Sequence, residues 1–169
     1  MGAASALPDY WVDTSVLDEG MKGPYGFDIA PRFWTMLDEL CADGRIACPL
    51  LVYDELQGSV EIMAHWARER RDSGLFVEPD ENVQTIYRDV VNYVADQYPD
   101  NQSRRRFLEG VDPWLIAHAI VTGGKVVTLE QRVDNNSKQA RIPNVCAHFG
   151  VEWITTYQML RELGVSWTR

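Results

Sequence analysis

The sequence predicts a single-domain α/β protein, built as three α/β/α layers around a short parallel central sheet. Three observations predict it. Tyr10-Trp11-Val12, Arg45–Cys48, Lys125–Thr128 and Val151–Ile154 are apolar runs too short for helices, and they alternate with longer stretches whose apolar residues recur at helical spacing. Such alternation builds a parallel sheet with helices on both faces. A length of 169 residues suits one domain with its own core. Finally, four acidic residues, Asp13, Glu55, Asp112 and Glu130, stand where apolar runs meet helices or loops.

Taken in order, residues 1–8 are expected to be disordered and residues 9–169 to form the domain. Tyr10 to Val12 is the first strand. Gly20, Gly23, Pro24 and Gly26 predict a loop. Phe33, Trp34, Leu37, Leu40 and Cys41 fall at helical spacing after Pro31, with Gly44 as the stop. Arg45 to Cys48 is a second strand ended by Pro49, and Leu50 to Arg71 a helix with a break near Gly58. The region from Asp72 to Gln102 reads as helical; in it Asp80 caps a helix striped by Val83, Ile86, Tyr87, Val90, Val91 and Val94. Asn101 to Glu109 is a short helix. Asp112-Pro113 opens the next, with Pro at the first helical position, where a missing N–H costs nothing. Lys125 to Thr128 is a third strand, followed by a polar loop over residues 130–142. Val151 to Ile154 is a fourth strand, and Thr155 or Thr156 caps a last helix stopped by Gly164.

Composition narrows the class. Hydrophobic residues make up 46% and charged residues 24%, which excludes wholesale disorder. Cys41, Cys48 and Cys146 are odd in number and lack metal-ligand spacing, so three reduced thiols in a cytoplasmic protein are expected. His65, His118 and His148 form no zinc motif, and no run reaches transmembrane length. Sixteen Lys and Arg against 25 Asp and Glu give a net charge of −9, the wrong sign for holding nucleic acid by bulk electrostatics. The positive charge is clustered, however, in Arg68-Arg70-Arg71, Arg104-Arg105-Arg106 and Arg132-Lys138-Arg141. The Arg104–Arg106 run is a second choice for contacting backbone phosphates, though by itself it reads more readily as a solvated helix face or a counterweight to the acids.

The four acids carry the chemistry. In an open parallel sheet ligands collect outside the carboxyl ends of the strands, where residues distant in sequence converge. Crowded carboxylates repel unless a cation sits among them, and hard oxygen ligands suit Mg²⁺ or Mn²⁺. Taken singly, each acid has a plainer explanation. Asp13 could cap the next segment, Asp112 in Asp-Pro-Trp is a good N-cap, and Glu55 and Glu130 could be exposed acids. The argument rests on the set and its order.

That order resembles PIN domains, the metal-dependent nuclease fold of many bacterial toxin–antitoxin toxins and some RNA-processing factors. The matching pieces are Val12-Asp13-Thr14-Ser15, Glu55 in the following helix, Asp112-Pro113-Trp114-Leu115-Ile116-Ala117, and Val127-Thr128 near the fourth acid. The Tyr-Trp-Val-Asp-Thr-Ser start and Ile142-Pro-Asn-Val-Cys146 resemble an uncharacterised PIN-like branch. The resemblance implies an endoribonuclease, the toxin of a type II module, with Mg²⁺ or Mn²⁺ held by Asp13, Glu55 and Asp112. Glu130 would support a second ion or an ordered water. It implies RNA as substrate, with a small antitoxin protein and a homodimer as partners and no membrane. Where the wider family has Thr-x-Asp, this chain has Thr128-Leu129-Glu130, a longer acid. Ser15 and Thr128 are candidates to fix the carboxylates by hydrogen bonds, and Lys138 and Arg141 to contact backbone phosphates.

Two alternatives fall on residue pattern. A haloacid-dehalogenase-type phosphatase needs a second Asp two residues after the first, where Ser15 stands. A nucleotide-binding α/β protein needs a Gly-rich phosphate loop, and Gly20, Gly23 and Gly26 lack its spacing. The remaining rival is a PIN-like module that binds RNA or a protein partner without efficient chemistry.

Overall fold

The computed structural model describes residues 6–167, so the expected disordered stretch lies outside the described residues up to residue 5. The described residues form five strands and nine helices. In chain order these are β1 (Tyr10–Val12), α1 (Thr14–Lys22), α2 (Pro31–Ala42), β2 (Ile46–Pro49), α3 (Leu50–Gln57), α4 (Glu61–Glu69) and β3 (Phe76–Val77). There follow α5 (Glu81–Gln97), α6 (Gln102–Glu109), α7 (Asp112–Thr122), β4 (Lys125–Val127), α8 (Ile142–Phe149), β5 (Trp153–Ile154) and α9 (Thr156–Glu162). The strands pair in the order β3-β2-β1-β4-β5, and every pairing is parallel.

Side-chain alternation along the strands sorts the core into two halves. Tyr10 and Val12, Ile46 and Cys48, Val127 and Ile154 face one layer, where α1, α2, α3, α4 and α9 supply Leu17, Phe33, Leu37, Leu56, Met63 and Met159. Trp11, Ala47 and Val126 face the other, against Val90, Phe107, Leu115, Ile116, Ile142 and Val145 of α5 to α8. This is the three-layer arrangement expected from sequence. Full burial of each large apolar side chain contributes about 1.5–3 kcal/mol. Gly124 leads into β4 so close to the entry of β1 that an added Cβ would stand 2.8 Å from the Pro8 carbonyl oxygen.

The structure corrects four local readings. The first helix already runs from Thr14 to Lys22 and absorbs Gly20, whose buried Cα faces the core with Val16 and Leu17. The Asp72–Gln102 region is not uniformly helical, because Phe76 and Val77 pair with Cys48 and Pro49 as an edge strand. Asp112 is the first residue of α7 rather than its cap, which is Val111, so Pro113 moves to the second position. The polar loop after β4 ends at Arg141, and Ile142 to Phe149 is helix. Elsewhere the expected signals hold. Asp80 accepts from the Val83 N–H, and Thr155 and Gln158 form a reciprocal capping box on α9.

Candidate acidic site at the carboxyl edge of the sheet

The strand order reverses between β1 and β4, the crevice where open parallel sheets place their ligands. Asp13 follows β1 there, its backbone N–H still bonded to the Val127 carbonyl of β4 at 3.0 Å. It occupies the cap position of α1, yet its carboxylate makes no capping bond. Instead Ser15 Oγ donates to Asp13 Oδ2 at 2.7 Å and Thr128 Oγ1 donates to the same oxygen at 3.0 Å. Each hydroxyl in turn accepts a backbone N–H from the loop after β4: Leu129 on Ser15 at 3.4 Å, Glu130 on Thr128 at 3.1 Å. These chains aim both hydroxyl protons at one carboxylate oxygen and leave Oδ1 open. The side chain is only 5% exposed. Burial raises its pKa from 3.8 to about 6; the two hydroxyls pull it down, and Glu130 and Glu55 push it further up.

Glu55 ties the site together across two loops. Thr14, next to Asp13, donates its hydroxyl to Glu55 Oε2, and the N–H of Val111, next to Asp112, donates to Oε1 at 3.3 Å. Asp112 is enclosed at the opening of α7. Its pKa is pushed well above the usual carboxylate range, first by burial and then by Asp13, Glu130 and Glu55, with the Arg141 guanidinium acting the other way. Among the described residues no hydrogen bond reaches its carboxylate. Glu130 accepts the Ile142 N–H on Oε2 at 2.8 Å, which satisfies an orphan donor at the start of α8. All four sequence-predicted acids therefore share one electrostatic neighbourhood, and Ser15 and Thr128 fix Asp13 as expected.

Two cavities open on this neighbourhood and share Glu130 and Arg141. One, of about 540 Å³, is lined by Asp13, Ser15, Glu19, Glu130, Arg132 and Arg141. The other, of about 210 Å³, is lined by Gln102, Arg106, Asp112, Glu130, Gln139 and Arg141 among others. Arg141 thus sits where the sequence placed it, its guanidinium steadied by Gln139 Oε1 at 3.1 Å. Lys138 does not line either cavity; its exposed residue offers a backbone carbonyl to Asn101 at 2.8 Å. The Arg104–Arg106 run is divided. Arg104 bonds the Ala95 and Tyr98 carbonyls and Arg105 pairs with Asp100, while Arg106 faces the site. Arg106 thus answers to the second-choice phosphate contact in the sequence, whereas Gln102 and Gln139 were not singled out, because the fold alone brings α6 beside the loop before α8.

Carboxylate oxygens are the kind of donor a hard divalent cation takes. Asp13 Oδ1, Glu130 Oε1 and both Asp112 oxygens accept no hydrogen bond among the described residues, and mutually repelling acids gain most from a cation. Among those residues, however, no group of three or more His, Cys, Asp or Glu side chains is arranged to hold a metal ion as it stands. Glu55 and Glu130 are turned toward protein donors instead. Cys41, Cys48 and Cys146 are free thiols, as expected. No described helix is long and apolar enough to cross a membrane.

Fold and site together define an open α/β protein with an acidic centre at its topological switch point. Over residues 10–167 the chain matches the family described as a domain of unknown function (DUF4411), and it belongs to that family. No curated protein and no solved structure matches it.

Proposed function

We propose that this protein is a Mg²⁺- or Mn²⁺-dependent endoribonuclease. The observation that carries the proposal is the convergence of Asp13, Glu55, Asp112 and Glu130 at the switch point, where burial first and then the other three acids raise the pKa of Asp112. Acids that crowd a carboxyl already raised by burial have little structural use without a cation. A bound divalent ion would supply an activated water and charge stabilisation at phosphorus.

The remaining work falls to the chain's own groups. Asp13, Glu55 and Asp112 would hold the ion, with Ser15 and Thr128 keeping Asp13 in one orientation. Glu130 keeps one oxygen free to accept a proton from an attacking water. Arg141, between the two cavities, is placed to bind the phosphate, with Arg106 and Arg132 extending the contact along the strand to either side. A role as the toxin of a bacterial type II module, paired with a small antitoxin, rests on the PIN resemblance.

A second reading has its own support. Glu130 is engaged by the α8 N-terminus, and the acids are not closed around an ion site. Both favour a module that binds RNA or a protein partner without efficient cleavage. Incubating the purified protein with single-stranded and structured RNA in Mn²⁺, Mg²⁺ or EDTA separates the two. Metal-dependent cutting lost in Asp13→Asn and Asp112→Asn supports the nuclease; binding without cutting supports the module.

A further inference from the structure

A third cavity lies beside the acids and takes no part in the chemistry above. It measures about 190 Å³ and is lined by Pro49, Leu50, Leu51, Pro79 and Trp114, with Asp54 and His118 as its polar members. Leu50, Leu51 and Asp54 come from α3 and Trp114 and His118 from α7, so the crevice lies between the two helices that also carry Glu55 and Asp112.

Three features give it the character of a built site. Trp114 is half-buried, and Tyr87 holds one face of its indole at 3.7 Å and within 12° of parallel, which fixes the ring before anything binds. The His118 side chain is 2% exposed, stacked on Trp11 at 4.3 Å, and its Nε2 is buried with no hydrogen-bond partner. Asp54 is exposed, and its carboxylate makes no hydrogen bond among the described residues. A flat apolar slot with a fixed indole and one acceptor-only carboxylate suits a planar heteroaromatic ring carrying donors.

We propose that this crevice binds the nucleobase next to the phosphate held at the acidic centre, with guanine preferred. The identity of the occupant rests on the ribonuclease reading, which brings a nucleic-acid strand to the acids carried by these same two helices. Guanine is preferred because its N1–H and N2–H₂ present two adjacent donors to the single carboxylate of Asp54, a match uracil lacks. Stacking on Trp114 supplies sequence-tolerant affinity, and Asp54 supplies the discrimination.

The test is free-nucleoside binding to the wild-type protein in EDTA, followed by saturation-transfer NMR with guanosine, adenosine, cytidine and uridine, and ribose as control. Guanosine is expected to bind most tightly. Trp114→Ala should weaken every nucleoside by about tenfold, the scale of one lost base–aromatic stack. Asp54→Ala, an exposed helix substitution that leaves the core intact, should bring guanosine down to the level of uridine. Nucleosides that bind no better than ribose, or equally well to a folded Trp114→Ala protein, would overturn the assignment. Nucleoside binding without RNA cleavage would keep the pocket and remove the nuclease; metal-dependent cleavage without nucleoside binding would do the reverse.

Discussion

The two edges of the sheet handle charge in opposite ways. At the amino edge, Arg45 pairs with Asp9 at 2.9 Å, and Lys125 bridges Glu162 at 2.8 Å and Glu152 at 3.4 Å. Glu162 also accepts the Tyr10 hydroxyl at 2.9 Å, and its own pKa is lowered by Lys125 first. At the carboxyl edge four acids face one another, with Arg141 as the cation that counters Asp112. The same strands begin in neutralised pairs and end in uncompensated negative charge. The acid surplus is thus balanced at one edge and concentrated at the other.

The largest expected break in that contrast is catalytic. Asp13→Asn or Asp112→Asn should abolish metal-dependent RNA cleavage without lowering stability, since each removes repulsion. Ser15→Ala and Thr128→Ala, which loosen Asp13 and release the Leu129 and Glu130 N–H groups, should cost about 10–100-fold. Rates at saturating Mn²⁺ with chemical denaturation alongside check both; an Asp13→Asn protein that unfolds would make Asp13 structural.

Next in size is a pH effect in metal-free protein. The pKa of His118 is pushed down by burial from 6.5 to about 4. Between those values the unfolded chain binds a proton that the folded chain refuses. Its contribution is therefore complete above pH 6.5 and is lost as pH falls toward 4, by about 3 kcal/mol. Asp13, raised from 3.8 to about 6, acts in the opposite sense: its contribution is complete below pH 3.8 and fades as pH rises through 6. The two oppose each other in wild type. Asp13→Asn should therefore lose more stability than wild type on acidification from pH 7 to 4.5, as read by urea midpoints; parallel curves would refute it.

Smaller still is the thermal response to metal. Mn²⁺ at a hundredfold excess over its dissociation constant should stabilise the fold by about 2.7 kcal/mol, a rise in Tm of roughly 5–10 °C. Asp112→Asn should show little of that rise, and an unshifted wild type would count against a cation site. The smallest change belongs to the balanced edge. Arg45→Ala, which breaks a pair roughly half-exposed on both sides, should cost less than about 1 kcal/mol and leave cleavage unaltered.

Much of this contrast was legible in the sequence. A charged residue directly after Tyr10-Trp11-Val12 had to be either paired or useful, because burying a carboxylate is costly. Asp13 turned out to be fixed by two hydroxyls on one oxygen. Asp112 was ambiguous because Asp-Pro-Trp also reads as a cap, and only the placement of Val111 at the cap position removes that reading. Glu55 was invisible as a bridge, since its partners Thr14 and Val111 are distant in sequence. The edge strand Phe76–Val77 is too short to show a period, and α1 was hidden by Gly20, which packs its bare Cα inward. Picking Arg106 out of its run needed three-dimensional adjacency that no local pattern encodes.

The strands at the two flanks of the sheet, β3 and β5, are each two residues long. An unpaired strand flank is a template on which another chain can add, and its danger grows with its length. Here each flank offers so few free N–H and C=O groups that continuous sheets spanning several molecules cannot grow from it. Self-association of this protein, in the test tube or during overexpression, is therefore a matter for helix surfaces. A fibrillar, dye-binding aggregate should not form from the folded state.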